Sequence, residues 1–452
     1  MNKDRLTFTL MDMGYKKAGP VQIYDQRTCY EDGNIIPFPV QLAIVTHALM
    51  LQGKRHGDIY QAKSSELVDA WTTSLDTAKT KLDSSIVSEP SALQYSLFQD
   101  VFQAPFPGPE NPKFTFIDLF AGIGGFRMAL QNLGGQCVFS SEWDAQAQKT
   151  YYANYGEVPF GDITSEYTKK YIPDGFDILC AGFPCQAFSL AGKRLGFEET
   201  RGTLFFDVAE ILRRKQPKAF FLENVKGLAI HDKGKTLKTI LNTLDEMGYV
   251  VPDPKIVNAM YFGVPQHRER IYIVGFRKDL GIRKEDFEYP EQKEVTKRFI
   301  DIREKDPVPS KYYLSTTYVN TLIAHKERHA SKGNGFGYEI IPDDGVANAI
   351  VVGGMGRERN IVIDTRQTDL TPTTRIKGEY NKDGWRRMTP REWGALQGYP
   401  VYDNEDGKPV FQIPVADASA YKQFGNSVAV PAIQATASQL LKVLSDKKIL
   451  SL

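Results

Sequence analysis

Short apolar runs alternate with helically spaced segments between residues 114 and 224, and that alternation restricts the fold more than any other feature of the chain. Residues 114 to 120 form an apolar strand with Asp118 inside it, Ala121-Gly122-Ile123-Gly124-Gly125 is a turn, and residues 126 to 132 open a helix. Residues 137 to 140 make the next strand, which ends in Glu142-Trp143. A helix through residues 145 to 154 leads to a third strand end at Gly161-Asp162-Ile163. Phe176, Ile178, Leu179 and Cys180 make a short buried strand, residues 204 to 215 a helix, and residues 219 to 222 a strand ending in Glu223-Asn224. Strands joined by helices in this way form a mostly parallel sheet with right-handed crossovers, so the fold class is α/β.

In an open sheet of this kind ligands gather beyond the ends of the strands. Cys185 stands at the mouth of the strand that Gly182 and Pro184 terminate, and Pro184 fixes its own φ and restricts Phe183. A free cysteine is ordinarily a small core hydrophobe, and the pre-set turn is what makes a nucleophile the competing reading. The glycine turn frees amides at a helix N-terminus, although its G-x-G-G spacing is not the dinucleotide pattern. Glu142 suits ribose hydroxyls, Trp143 either stacks on an adenine ring or packs in the core, and Asp162 suits an adenine amino group. Taken in order, the three strand ends describe one adenosine pocket. Glu223, otherwise a helix-capping carboxylate, shares its sheet edge with Cys185. Gln266-His267-Arg268-Glu269-Arg270 puts Arg268 and Arg270 on the side of a strand that faces this pocket, with His267 on the other.

The chain of 452 residues has room for two or three domains, and its formal charge of +1 does not announce a nucleic-acid partner, so any basic surface is local. Cys29, Cys137, Cys180 and Cys185 form no C-x-x-C pair, which argues against structural zinc and disulfides and fits a reducing cytosol. No apolar run approaches a membrane span. Residues 1–110 read as an α-rich accessory domain with helical stretches at 38–52 and 64–86, and Pro105, Pro107, Pro109 and Pro112 form a connector. From about 285 to 408 apolar periodicity fades, and the run 353–360 reads as exposed loop. A final amphipathic helix begins at Pro431.

As a set, the motifs resemble those of the DNA (cytosine-5) methyltransferases, the bacterial modification methylases in particular. They are F-I-D-L-F-A-G-I-G-G-F (116–126), S-E-W-D (141–144), G-D-I-T (161–164), G-F-P-C-Q-A-F-S (182–189), E-N-V-K-G-L (223–228), Q-H-R-E-R-I-Y (266–272), M-T-P-R-E (388–392) and Q-F-G-N-S-V (423–428), in family order from about residue 113 to the end. The first hundred residues have no counterpart in the minimal pattern, and the usual Thr-Leu pair of the recognition region reads Thr373-Thr374.

The resemblance implies a class I S-adenosylmethionine-dependent methyltransferase fold: a Rossmann-like, mixed, mostly parallel sheet with a smaller target-recognition domain and the N-terminal α-rich extension. Its parts would be a catalytic domain at 113–298, target-recognition domain and hinge at 299–411, and a completing segment at 412–452. Phe120, Gly122, Ile123, Gly125, Glu142, Trp143, Asp162, Ile163, Pro184, Leu204, Asn426 and Val428 would hold S-adenosylmethionine. Cys185 would be the nucleophile, with Glu223, Arg268 and Arg270 on the target cytosine. Gln186, Ser189 and Arg201 lie in a loop, with Gly192, Gly196 and Gly202 as its flexible points, that would close over DNA. Thr373, Thr374 and Arg357, Arg359, Arg375 or Arg386 would read bases in the major groove. The expected partner is double-stranded DNA with a short specific site. The expected setting is a monomer in the bacterial cytoplasm, with a cognate restriction endonuclease as functional counterpart. A nucleotide-dependent oxidoreductase explains the glycine turn and Glu142 but leaves Pro184-Cys185 and the arginine pair unused. A catalytically silent DNA-binding module of the same fold is opposed by the presence of both Cys185 and Glu223.

Overall fold

The computed structural model describes residues 30–31, 34–35, 38–51, 53–54, 56–57, 60, 104–184, 204–353, 356–369, 378–402 and 407–451. Helix α1 spans Phe38–Met50, and β1 (Phe114–Leu119), α2 (Gly125–Gln131), β2 (Gly135–Ser141) and α3 (Ala145–Tyr155) follow the Pro-rich segment. Next come β3 (Ile178–Gly182), α4 (Leu204–Lys215), β4 (Ala219–Val225) and α5 (Lys235–Glu246). Strands β5 (Tyr249–Val250), β6 (Lys255–Asn258), β7 (Gln266–His267) and β8 (Glu269–Arg277) complete the alternating part. The principal sheet has seven strands in the order β2-β1-β3-β4-β8-β5, with β6 also paired to β8. The first four are mutually parallel, and β8 runs antiparallel to β4, β5 and β6. The expected mixed, mostly parallel sheet is therefore present.

Both faces of the sheet are covered, which is why its strands read as continuous apolar runs rather than alternating ones. Phe116, Ile178 and Cys180 enter one core with α2 and the last helix, while Ile117, Leu179 and Ala181 enter the other with α1 and α4. Helix α1 is buried along residues 41 to 48, as expected of a helix apolar on all sides. Its Leu42, Ala43, Ile44 and Val45 share the core of the sheet with Phe139, Phe160 and Phe205. Residues 64–86, expected as a second helix, lie outside the described residues. The connector is held in place: Phe106 donates its amide to the Asn154 carbonyl at 2.9 Å and packs against Tyr155 and Phe411.

Two readings of the sequence are corrected here. Among the described residues no third strand precedes Asp162; a single bridge between Ser141 and Phe160 stands in its place, because Pro159 and Gly161 leave no room for a ladder. The stretch expected to be loop-rich contains α6 (Thr316–Ala330), capped by Ser315 accepting from the Tyr318 amide at 3.2 Å, with Val319 and Leu322 turned inward. It also contains β9 (Ala347–Asn348), β10 (Ile361–Ile363), β11 (Trp385–Arg387) and α7 (Pro390–Leu396), and within the run 353–360 Glu358 and Asn360 are buried. Fading periodicity here reflects a small core around Leu314, Val319, Leu322 and Ile361. Helices α8 (Asp417–Asn426) and α9 (Val430–Asp446) close the chain, with α9 packed on α2.

Candidate active site

The carboxyl ends of β1, β2, β3 and β4 lie side by side, and the turns that leave them are shaped by backbone strain and tight packing. Phe120 and Gly122 both have φ of 55°, and Gly124 has φ of 84°. A left-handed conformation favours glycine, and at Gly124 a side chain would also strike the Tyr155 ring. At Gly125 a Cβ would lie 2.6 Å from Cγ2 of Val428 and 2.9 Å from the Tyr399 hydroxyl, so the absence of a side chain lets the C-terminal Gly425-Asn426-Ser427-Val428 turn seat against α2. Gly182 faces the same Val428. Gly122 and Gly161 instead face open space, with nothing within 4 Å of the position a Cβ would take.

Glu142 ties two of these ends together. One of its oxygens accepts the Gly122 amide at 2.8 Å and the other accepts the Asp144 amide at 2.7 Å. Burial raises its carboxyl above the usual range, and the Asp144 and Gly122 amides hold it back. Trp143 beside it is 71% exposed, so its indole is not core packing. The Glu142 amide donates to the Phe160 carbonyl at 2.8 Å, which brings the 160–163 turn alongside. Asp162 is exposed there, its Oδ1 accepting the Thr164 amide at 2.9 Å, and Ile163 is buried.

Glu223 is buried at the end of β4, opposite Gly182 of β3 in register. Nε of Arg270 lies 3.1 Å from its Oε1. Burial raises the Glu223 carboxyl, with Arg270 and then Arg268 opposing. Next to it, Asn224 donates from Nδ2 to the Phe183 carbonyl at 2.8 Å, anchoring the strand exit that leads through exposed Pro184 to Cys185. Cys185, Gln186, Ser189, Arg201, Thr373, Thr374 and Arg375 lie outside the described residues.

Arg268 and Arg270 do different work. The ladder breaks between β7 and β8 at Arg268, whose guanidinium donates to the carbonyls of Ile350 at 2.8 Å, Gly425 at 3.2 Å and Ser427 at 2.7 Å. It thereby joins the C-terminal turn to the 347–353 segment, while β7 pairs with β9. Gln266 and Gln397 support the same junction: Gln266 accepts the Ile350 amide at 3.0 Å, and Gln397 donates to Phe424 at 2.7 Å and Ser427 at 3.1 Å. Sequence patterning singled out neither glutamine for this role, since an amide that spans loops leaves no local periodicity. Asn426 is exposed and Leu204 half-buried.

Arg386, expected as a guanine reader, is instead wholly buried. Its Nε lies 3.0 Å from Asp364, and its two terminal nitrogens each lie 2.8 Å from a different oxygen of Glu392. A buried guanidinium needs such acceptors, and with no exposed surface it cannot reach a base. Arg359 is exposed and paired with Glu339 at 2.8 Å, and Arg357 stands 5.4 Å from the centre of the Tyr421 ring. Among the described residues no cluster of three or more His, Cys, Asp or Glu is placed to hold a metal, and no helix is long and apolar enough to cross a membrane.

The sheet order, the glycine turn and the acidic strand ends define an open α/β enzyme with its site at the carboxyl edge of the parallel strands. The chain belongs to the C-5 cytosine-specific DNA methylase family, whose pattern matches residues 114–442. Its reaction is thus methylation of cytosine C5 in DNA. It is 68% identical over 370 residues to the type II methyltransferase M.HpaII of Haemophilus parainfluenzae, a match covering 81% of this chain and 99% of that protein. The type II methyltransferase M.SsoII of Shigella sonnei is 46% identical over 354 residues, covering 76% of this chain and 84% of the other. Among solved structures, the S. pombe Dnmt2 methyltransferase superposes with a TM-score of 0.53 at 20% identity, covering 74% of this chain and 99% of that one, a likeness of fold.

Proposed function

We propose that this protein methylates a cytosine within a short specific sequence of duplex DNA, taking the methyl group from S-adenosylmethionine and using Cys185 as nucleophile. The reading of it as the modification partner of a restriction endonuclease rests on its likeness to the type II enzymes. The observation that carries the chemistry is the buried Glu223 carboxyl, paired with Arg270 at the strand end beside the exit to Cys185.

The residues present fit the cofactor. Open space in front of Gly122 and Gly161, an exposed indole at Trp143 and a carboxylate oriented by the Gly122 amide make a cradle suited to an adenosine. Phe120, Ile123, Gly125, Ile163, Pro184, Leu204, Asn426 and Val428 would complete it, with Asp162 toward the adenine amino group. When bound, S-adenosylmethionine supplies an electrophilic methyl group.

Cytosine C5 is a poor nucleophile, and the protein's task is to make it one. The Cys185 thiolate adds to C6, and the electron pair of the C5–C6 bond becomes available at C5 as an enamine. Glu223, whose carboxyl burial raises, donates in its protonated form to N3 and accepts from the 4-amino group, offsetting charge that develops on the ring. Arg270 orients Glu223 and reaches the O2 edge, while Arg268 holds the turn carrying Asn426 and Val428. Once C5 carries its new methyl group, loss of the C5 proton to water and breakage of the C6–S bond, with Cys185 leaving as thiolate, restore the aromatic ring. None of these atoms is accessible in a stacked duplex, so the base is flipped out.

A duplex with 5-fluorocytosine at the target tests the covalent step, because fluorine at C5 cannot leave as a proton. Wild-type enzyme with S-adenosylmethionine should give a band that survives denaturing electrophoresis, and Cys185→Ser should give none while still binding DNA. A surviving band in Cys185→Ser would sink the mechanism.

A further inference from the structure

His47 lies on α1, ahead of the 114–442 span that carries the family pattern, yet it is wholly buried against the catalytic sheet. Its Nδ1 is 2.8 Å from the Ala43 carbonyl oxygen, and its Nε2 is 3.1 Å from Oε1 of Glu157. Both ring nitrogens thus lie close to an oxygen. The same Glu157 oxygen receives Nη1 of Arg127 at 2.9 Å and the Ser140 hydroxyl at 2.8 Å. The His47, Glu157 and Arg127 side chains have no exposed surface. Burial pushes the Glu157 carboxyl up, but Arg127 and His47 outweigh it and hold it at about 2.

Glu157 is a hub whose partners come from the supports of the adenosine cradle. Ser140 is two residues ahead of Glu142 on β2. Arg127 belongs to α2, which starts at the glycine turn, and its guanidinium stands 5.0 Å from the centre of the Tyr155 ring. The Tyr155 hydroxyl in turn donates to the Gly124 carbonyl at 2.8 Å. Helix α1 adds a second tie beside His47: Thr46 Oγ1 accepts the Val158 amide at 3.0 Å, two residues before the Phe160 carbonyl that receives the Glu142 amide. Two further bonds join the segment to β2, from the Tyr60 hydroxyl to the Val138 carbonyl and from the Lys54 ammonium to Gln136.

We infer that α1 supports the cofactor site through Thr46 and His47, and that His47 is a positioning residue that holds Glu157, and through it Arg127 and the 158–160 segment, so that Gly122 and Glu142 meet the adenosine in register. The inference rests on the reading of this cradle as the S-adenosylmethionine site. Removing His47 leaves the buried Glu157 carboxylate with one partner fewer, and the remaining partners then re-arrange around it.

Calorimetric titration of the full-length protein with S-adenosylmethionine, without DNA, tests this. His47→Ala should bind about three- to thirtyfold more weakly, the range over which a network residue modulates a distant site. His47→Gln, which keeps one donor, should recover part of the loss, and Thr46→Val, which removes the acceptor for Val158 along with the hydroxyl's own bond to the Leu42 carbonyl, should weaken binding in the same direction. Leu42→Ala, buried in the same helix but outside the network, should lower the melting temperature and leave affinity at the wild-type value. Wild-type affinity in both a folded His47→Ala (or, if that variant does not fold, His47→Gln) and Thr46→Val would overturn the inference, as would an equal loss in Leu42→Ala. Absence of binding by the wild-type protein would instead remove the cofactor reading on which the inference stands.

Discussion

Oε1 of Glu223 and Nε of Arg270 lie 3.1 Å apart across the antiparallel junction of β4 and β8, with Arg270 registered one pair beyond Asn224, opposite Val225. The pair sits where a parallel sheet turns antiparallel, so a carboxyl from one strand and a guanidinium from the next meet at one edge. Burial raises the Glu223 carboxyl above the usual range, and Arg270 limits the rise.

This sets a pH dependence. A carboxyl whose folded pKa is raised stays protonated above the ordinary range and loses its proton as pH rises through the folded value. Single-turnover methylation should therefore decline on the alkaline side from ionisation of Glu223, against an acid-side rise from the Cys185 thiolate. In Glu223→Gln the rate should fall by about 10²–10⁴-fold, the usual worth of a positioned acid, and the alkaline decline assigned to Glu223 should vanish. An unchanged alkaline limb in the variant would assign it to another group.

The cofactor cradle makes a separate prediction. Trp143→Ala should weaken S-adenosylmethionine binding by about 1–3 kcal/mol, the worth of an aromatic platform under a base. Asp162→Ala should weaken it by about 1–3 kcal/mol through a lost hydrogen bond. Calorimetry giving wild-type affinity for either variant removes that residue from the pocket.

Asp118 is buried in β1 beneath the glycine turn, and burial pushes its carboxyl up to about 8, with Arg127 limiting the rise. Because its pKa is higher folded than unfolded, its contribution to stability is complete below the ordinary carboxylate range and is lost as pH rises toward 8. Asp118→Asn should therefore gain stability relative to wild type between pH 5 and 8, at a slope of about 1.4 kcal/mol per pH unit. Denaturant melts at the two pH values measure it, and a constant difference would contradict the assignment.

Arg386 belongs to folding rather than to base reading. Arg386→Met takes from the buried Glu392 its paired cation, while Asp364 keeps Arg303 and Arg366, and should cost about 3–5 kcal/mol, read by chemical denaturation. The methylated sequence, read by bisulfite mapping, should stay the same. A relaxed sequence in a variant of near-native stability would restore the base-reading role.

The recognition region itself is tested by exchange. Replacing residues 299–385 with the segment of a relative should change the methylated word and leave the chemistry intact. That boundary separates Asp364 from Arg386 and Glu392, so an exchange extended to residue 396 keeps the ionic cluster whole and should give the more stable chimera. A well-folded chimera that still methylates the original word would refute the assignment of this region.

The sequence by itself determined the alternating sheet, the glycine turn and the order of the acidic strand ends, because each is written in local terms. Apolar runs bounded by Gly and Pro mark strands, and a helix such as Leu204–Lys215 shows its own period. The family motifs are equally local, and they point to Glu223 and Arg270 without any knowledge of the fold. Tertiary structure alone decided what the long polar side chains do. Arg268, Arg270 and Arg386 look alike in sequence, yet one clamps three carbonyls, one pairs with Glu223 and one is sealed between Asp364 and Glu392. His47 lies 110 positions from the Glu157 it meets, a separation fixed by how α1 packs on the sheet. A guanidinium or imidazole takes its role from whichever acceptors the fold brings within about 3 Å, and that is a property of packing between distant segments, which no local pattern encodes.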